Sequence, residues 1–423
     1  MAINLSKYKG LLAGSKYIFL LNLSDKIFSF IIMMLLARNF TAVIYGQVVT
    51  LITLSIVLVS IFDLGLPIFI QREIAVNRQI ASEIYSRVFI LGSLLIVIYF
   101  ALGSAAVLVV YSDIPYTLFI IISLMMYVSF LVTVNNKTLS GINEYKKQFQ
   151  SFVLPRVLIL AVFIPGIYLY SMSVNILLGV MFAGTGLNLL ISALLLRKND
   201  IRISVKYFSF SGIKKILAIS LPLGIAVIFN LLYDKIDILL ISKLRGFDEA
   251  AFYSIAYGLF KSSSIAFSFL LVSGFTRVAE LHREPASIGE FLKEHATLIS
   301  IICIICSVIL FVFAEFIITV IYTGKFENSV NILRILSIGI IAMGLNNLTG
   351  IILNGMGYFK IVMFITLYAL IMNAVLNFVL IPKYGITASA VLTVVTEFFI
   401  FALEWYYLKK ILVNLQSKTT ETA

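Results

Sequence analysis

Charged residues, cysteine and histidine are all scarce in this chain of 423 residues. Charged residues make up 12% of the sequence, whereas hydrophobic residues make up 61%, and the mean hydropathy is +1.07. Because a soluble core could not bury so much apolar surface, the composition excludes an ordinary soluble domain and indicates a membrane protein. The two cysteines, Cys303 and Cys306, lie in one apolar run, which argues against a disulfide framework or a zinc site. We therefore expect no metal and no cofactor.

Long apolar runs are what the chain has in abundance, and twelve of them reach the roughly 18 to 25 residues that cross a bilayer as a helix. The predicted spans are residues 17–37, 43–62, 88–110, 116–134, 152–170, 174–196, 216–241, 250–275, 297–320, 331–353, 359–381 and 386–408. These runs are continuous, unlike the alternating strands of an outer-membrane barrel. The sequence predicts an all-α integral membrane protein with twelve transmembrane helices.

The positive charges are distributed unevenly between the connections of these spans. With the N-terminus inside, the even-numbered connections and the two tails hold 22 of the 32 Lys and Arg residues, and the odd-numbered connections hold five. The positive-inside rule therefore predicts that both termini are cytoplasmic. The net charge of +12 is largely this topology signal, so we expect membrane lipids as neighbours and no nucleic acid as a partner.

The five remaining cations lie within or just inside the predicted spans, and six carboxylates lie at similar positions. A charge at bilayer depth costs about 2.5–3.5 kcal/mol on the insertion scale, so such residues usually face a bundle interior or an aqueous cavity. We predict that they line a cavity, with internal ion pairs or snorkelling at helix ends as the alternatives. The cations are Lys26, Arg156, Lys235, Lys261 and Arg334; the acids are Asp25, Asp63, Asp234, Asp237, Glu397 and Glu404.

Two charged segments repeat at an offset near half the chain. LNLSDKIFSF begins at Leu21 and FNLLYDKIDILL at Phe229, and LSGINEYKK at Leu139 corresponds to LNGMGYFK at Leu353. These repeats predict two pseudo-symmetric six-helix bundles, residues 1–200 and 201–423, around a central cavity. Neighbouring Asp and Lys side chains on a helix point about 100° apart, so we expect each to pair with another helix or a ligand.

Three stretches carry a resemblance to a known family: ARNFTAVIYGQ from Ala37, FDLGLP with REIA from Phe62 to Ala75, and the long run from Asn354 to Glu397. The chain resembles the polysaccharide transporter family of the multidrug, oligosaccharidyl-lipid and polysaccharide exporter superfamily, which includes the O-antigen flippases. The resemblance implies export of an undecaprenyl-pyrophosphate-linked oligosaccharide across a bacterial inner membrane. It also implies alternating access, coupling to a gradient of H⁺ or Na⁺, and polysaccharide-assembly proteins as partners.

The residues fit such a cargo chemically. Lysine is a compact charge suited to phosphate, so the deep cations are candidates for binding the pyrophosphate. A buried carboxylate can take up a proton, which makes Glu397 the first candidate for ion coupling, followed by Asp25, Asp234 and Asp237. The candidates for contacts with sugar hydroxyls are Asn230, Tyr233, Tyr257, Asn373 and Asn377.

Three other functions are open at this point. A multidrug or cation antiporter of the same superfamily would favour an acidic, aromatic cavity, and the deep lysines argue against it. A lipid II flippase usually has two more C-terminal helices than this chain, which ends at Ala423. An O-antigen polymerase or ligase would need long periplasmic loops, whereas the odd-numbered connections are short. Because no P-loop or Gly-x-Ser-x-Gly motif is present, we expect that the protein is not an enzyme.

Overall fold

The computed structural model describes residues 5–268, 270, 271, 278 and 285–421, and the regular secondary structure of this described part is entirely helical, with no strand. The first half contains α1 (Leu5–Asn39), α2 (Ala42–Asp63), α3 (Leu66–Val76), α4 (Ala81–Val110), α5 (Tyr116–Gly141), α6 (Tyr145–Tyr168) and α7 (Val174–Arg197). The second half contains α8 (Phe210–Leu244), α9 (Phe247–Ser262), α10 (Pro285–Val312), α11 (Ala314–Tyr322), α12 (Ser329–Ile338), α13 (Ile340–Gly355), α14 (Phe359–Tyr384) and α15 (Ile386–Glu421).

Nine described helical segments are long and apolar enough to cross a membrane. Two bent pairs raise that number to as many as eleven: the parts of α8 meet at 57° around Pro222, and α12 meets α13 at 46°. The predicted eighth span, 250–275, is represented by the 16-residue helix α9 and runs on beyond the described residues. The predicted all-α, many-helix membrane fold is confirmed.

The chain divides into two compact units. The first contains the residues up to Phe40 together with Leu51–Ile228, and the second contains Thr41–Thr50 and the residues from Phe229 onward. In the first unit α5 packs against α3, α4 and α7, and α6 packs against α1 and α7. In the second unit α15 packs against α13 and α14, and α9 packs against α12.

The core of the first unit combines apolar packing with hydrogen-bonded tyrosines. Tyr85, Tyr99 and Tyr127 are at most 2% exposed and lie among the apolar side chains of α3, α4 and α5. Their hydroxyls bond to Asn135 Oδ1 at 2.8 Å, to the Ser123 carbonyl at 3.1 Å and to the Gly92 carbonyl at 2.5 Å respectively. Because each buried hydroxyl has a partner, none carries the cost of a lost hydrogen bond.

A sharp break separates α2 from α3 and fixes the position of Asp63. Leu64 and Gly65 have φ values of 51° and 73°, and Asp63 Oδ1 accepts the Gly65 N–H at 2.9 Å. A side chain at Gly65 would meet the carbonyl of Ser220 and, at 2.7 Å, the backbone nitrogen of Gly224. The break therefore requires glycine for both its conformation and its close contact with α8.

The connection from α7 to α8 is fastened along α4. The Ser82 and Ser86 hydroxyls each donate to a carbonyl of the connection, those of Asp200 and Arg202, both at 3.2 Å. Arg87 Nε donates to the Tyr207 carbonyl at 2.8 Å. This segment is thus held as part of the first unit.

Candidate functional site

An ion-pair cluster lies inside the second unit, between α8, α9 and α15. Asp234 is bonded by Lys235 Nζ at 2.9 Å, by Lys261 Nζ at 3.1 Å and by the Tyr257 hydroxyl at 2.6 Å. Lys261 Nζ also lies 3.6 Å from Glu397 Oε1. Lys261 therefore bridges carboxylates that are carried by two different helices.

The expectation that adjacent Asp and Lys side chains would not pair is wrong for Asp234 and Lys235. The directions of their Cβ atoms do differ, but the four methylenes of lysine let its ammonium group bend back to the neighbouring carboxylate. In the first unit the expectation holds, because Asp25 pairs with Arg156 of α6 at 3.0 Å and no ion pair joins Lys26 to another described residue.

Glu397 is almost fully enclosed, with 2% of its surface exposed. Asn346 Nδ2 of α13 donates to its Oε2 at 2.5 Å, and Lys261 faces the other oxygen. The hydroxyl oxygen of Tyr233 is buried near the same carboxylate. Lys261 pairs with both Asp234 and Glu397. If either acid lost its charge, Lys261 would form an ion pair with the other acid alone.

A second buried carboxylate, Asp237, lies among neutral donors. Tyr253 and Thr393 donate to Oδ2 at 2.7 and 3.0 Å, and Asn377 Nδ2 donates to Oδ1 at 3.0 Å. Asn377 Nδ2 also reaches Asn373 Oδ1 at 2.9 Å. Asp237 is 5% exposed and has no salt bridge within the described chain, so in its ionised form the carboxylate would be stabilised by these hydrogen bonds and not by a neighbouring cation.

A cavity of about 220 Å³ opens beside Lys261, within the second unit. Its charged lining consists of three acids and one lysine, so with all groups ionised it carries two net negative charges. An acidic cavity suits a proton or a metal cation better than a pyrophosphate. The polar residues that line it are Asn230, Tyr233, Asp234, Lys261, Asn346, Asn347, Asn354, Thr366, Glu397 and Glu404.

Several of these residues were missed by sequence reasoning. Asn346, Gly350 and Asn354 recur every four residues along α13, a helical stripe that the sequence does display. For Glu404 the alternative prediction was a side chain that snorkels to the membrane surface. In the structure Glu404 is 2% exposed and accepts a hydrogen bond from Thr349 at 2.5 Å. It therefore faces the cavity and not the bilayer surface.

In the first unit, Arg156 is held in one orientation by three contacts with two residues. Its Nη2 lies 3.0 Å from Asp25, its Nη1 donates to the Phe152 carbonyl at 3.2 Å, and its guanidinium carbon lies 3.1 Å from the centre of the Phe152 ring. A cavity of about 100 Å³ adjoins this arginine. Lys26, by contrast, is exposed on α1.

The structure does not bring all the predicted site residues together. Arg334 lies 3.7 Å from Glu315 and lines neither cavity, while Asp63 caps the α2–α3 break. Asn373 and Asn377 are at most 1% exposed, so a glycan would reach them only after local rearrangement. Within the described residues, no three His, Cys, Asp or Glu side chains converge in the manner of metal ligands.

A bundle of membrane-crossing helices that encloses paired charges and a polar cavity is typical of membrane transporters. Solved structures with this fold include an inward-facing multidrug resistance transporter of the MATE family, with a TM-score of 0.76 and 15% identity over 94% of this chain and 95% of that chain. Another is a transporter of the same superfamily from Pyrococcus furiosus, described as having a binding pocket of reverse polarity. Its TM-score is 0.60, with 15% identity over 96% of this chain and 94% of that chain.

The family follows from the sequence matches. Residues 11–279 match the model of the polysaccharide biosynthesis protein family, and residues 222–379 match the MatE model. The chain is 26% identical to an uncharacterized membrane protein of Methanocaldococcus jannaschii, over 92% of this chain and 95% of that protein. It is 22% identical to a putative O-antigen transporter of Shigella flexneri, over 80% of this chain and 84% of that protein. The chain belongs to the polysaccharide biosynthesis protein family, in the polysaccharide transporter branch of the multidrug, oligosaccharidyl-lipid and polysaccharide exporter superfamily.

Proposed function

We propose that this transporter is a flippase for an undecaprenyl-pyrophosphate-linked oligosaccharide of the O-antigen type. It moves this lipid from the cytoplasmic to the periplasmic leaflet of a bacterial inner membrane by alternating access, with both termini in the cytoplasm. The family match and the similarity to a putative O-antigen transporter support the substrate class. The observation that carries the proposal is the Asp234–Lys261–Glu397 cluster, because a transporter needs buried charges whose pairing can change during its cycle.

In this proposal Lys26 and the second unit have different tasks. Lys26 is exposed and joined to no described acid, so its ammonium group is available to a phosphate of the cargo. Lys235 and Lys261 are already engaged by carboxylates, so they serve the coupling step. Asn230 and Tyr233, which line the larger cavity, offer hydrogen-bonding groups to sugar hydroxyls.

Coupling to a cation gradient is assigned to the acids of the second unit. A proton taken up by Glu397 would neutralise it and leave Lys261 to Asp234 alone, which changes how α9 and α15 are joined. Asp237, which accepts hydrogen bonds from two hydroxyls and from the amide nitrogen of Asn377, is the second coupling candidate and would take H⁺ or Na⁺. Its negative charge would be offset by the bound cation.

The proposal is tested by translocation of a fluorescent undecaprenyl-pyrophosphate oligosaccharide in proteoliposomes. The wild type should move this lipid, Lys26→Ala should move it at least several-fold more slowly, and Lys16→Ala, which removes an exposed lysine of the same helix, should match the wild type. Glu397→Gln should remove the response to an imposed pH gradient. A wild type that moves no lipid at matched folded protein levels contradicts the flippase assignment.

A second candidate function is a multidrug or cation antiporter. The net negative lining of the larger cavity favours it, since cationic drugs are attracted to acidic sites, and residues 222–379 match the MatE model. The same proteoliposomes decide between the two functions. Expulsion of a cationic dye without any lipid movement would favour the antiporter.

A further inference from the structure

The larger cavity of the second unit extends along α13 and α15, away from the ion-pair cluster. Asn346 of α13 bonds to Glu397 of α15, and further along both helices Thr349 bonds to Glu404. These contacts advance together, so α13 and α15 run in the same direction. Asn354, one residue before the end of α13, lines the same cavity. The cavity therefore reaches from Glu397 to the end of α13.

Glu404 lines this cavity, although only 2% of its surface is exposed. Its Oε2 accepts the hydroxyl of Thr349, and a Cβ atom at Gly350 would lie 3.2 Å from its Oε1. Because glycine has no side chain, Oε1 stays uncovered on the side of Gly350, which lines the cavity as well. The carboxylate thus has one neutral donor and one oxygen with no side chain placed over it from position 350.

The charged groups near Glu404 are few. The charged lining of the cavity consists of Glu397 on the same helix and, beyond it, Lys261 of α9 and Asp234 of α8. Lys261 pairs with Asp234 and Glu397, and no ion pair joins Glu404 to a cation of the described chain. Glu404 can therefore take up and release a proton without breaking an ion pair.

The other helices that pack against α15 add no charge to this lining. The residues from α13 and α14 are amides, one threonine, glycine and apolar side chains, and the described parts of α10 and α12 contribute no residue. Tyr233 of α8 is the remaining titratable group of the lining, and it lies near Glu397. A proton in the part of the cavity beyond Glu397 thus has Glu404 as its carboxylate acceptor.

The distance between the two carboxylates requires water between them. Glu404 follows Glu397 by seven residues, which is a rise of about 10 Å along a helix. The cavity that both residues line has a volume of about 220 Å³, and one water occupies roughly 30 Å³ in the liquid, so a short chain of waters fits there.

We propose that Glu404 carries protons between Glu397 and the cytoplasm. The inference rests on the proposed function, which places the C-terminus in the cytoplasm and assigns coupling to Glu397. In the step, the O–H bond of protonated Glu397 breaks and the proton passes through water to Glu404. Glu404 then releases it to the cytoplasmic solvent near Asn354, while Glu397 regains its charge and its ion pair with Lys261.

The test follows protons and lipid in the same proteoliposomes, with a pH-sensitive dye inside and a fluorescent undecaprenyl-pyrophosphate oligosaccharide in the membrane. Glu404→Gln keeps the size of the side chain and an oxygen that can accept from Thr349. Under an imposed pH gradient, this variant should move protons roughly tenfold more slowly than the wild type, or slower still, because a positioned proton carrier is lost. Lipid movement driven by the gradient should slow with it.

Added formate supplies a readout that a purely structural role would not change. This small acid can carry protons through the cavity in place of the missing carboxyl group, so it should restore part of the lost rate in Glu404→Gln. The matched control is Glu327→Gln, which makes the same change at an exposed acid outside the cavity and should behave like the wild type.

The inference is overturned if Glu404→Gln moves protons at the wild-type rate, or if formate restores nothing. It is also overturned if the wild type moves lipid without moving protons, but that result keeps the flippase. Conversely, a wild type that moves protons but no lipid, with Glu404→Gln slow and rescued by formate, keeps the proton path and contradicts the proposed cargo.

Discussion

Removing the ammonium group of Lys261 should lower the free energy of unfolding. A second substitution, Glu397→Gln, should restore part of that loss. In Lys261→Met the side chain keeps most of its apolar length, but Asp234 and Glu397 lose their shared cation. Breaking a buried pair costs about 3–5 kcal/mol. Of the three groups only Glu397 is fully buried: Lys261 is about a third exposed, and Asp234 is about a quarter exposed and retains Lys235 at 2.9 Å, so we expect the low end, about 3 kcal/mol.

The free energy of unfolding is measured by SDS titration of the protein in mixed micelles. Lys410→Met, which removes an exposed lysine of α15, is the control and should change that free energy by about 1 kcal/mol or less. In the double variant Lys261→Met, Glu397→Gln, the enclosed carboxylate is no longer charged. We expect about 1–3 kcal/mol to be recovered as the coupling energy of the cycle. If Lys261→Met costs no more than Lys410→Met, or if the double variant recovers nothing, the bridging role is refuted.

Two further predictions concern Asp237 and Gly65. Asp237→Leu removes the acceptor that Tyr253 and Thr393 share. Because the Tyr253 hydroxyl can turn to Thr393, and Thr393 already lies 2.9 Å from the Ser389 carbonyl, we expect the free energy of unfolding to fall by about 1–3 kcal/mol; Asp237→Asn keeps the shape and should cost less than half as much, and equal costs would contradict the network. Gly65→Ala should lower the free energy of unfolding more than Gly357→Ala does in the same SDS titration. Both glycines have a positive φ, but of the two only Gly65 lies against neighbouring backbone atoms. The reverse order would argue against the close contact with α8.

Hydrophobicity and helical period were sufficient to predict the spans, and to place Asn230 and Asp234 on one face that does line a cavity. Asp237 was assigned to the same stripe, but it lies about 60° back from Asp234 around the helix and joins a different cluster. The approach of Lys261 to Glu397 could not be predicted, because the two residues are 136 positions apart and meet only through the packing of their helices. Single-sequence patterns carry no information on which helices become neighbours.

The hydrogen bonds between α4 and the connection from α7 to α8 determine where the chain can be cleaved without loss of structure. Arg87 donates to the carbonyl of Tyr207, and α8 begins at Phe210. The backbone between these two fixed points is therefore three residues long and spans at most about 11 Å. A protease site placed at residue 204 would leave both new ends tied to α4. New chain termini at that point should therefore be tolerated, and a split version of the protein should assemble from its two halves through this strip of hydrogen bonds and the surrounding helix contacts.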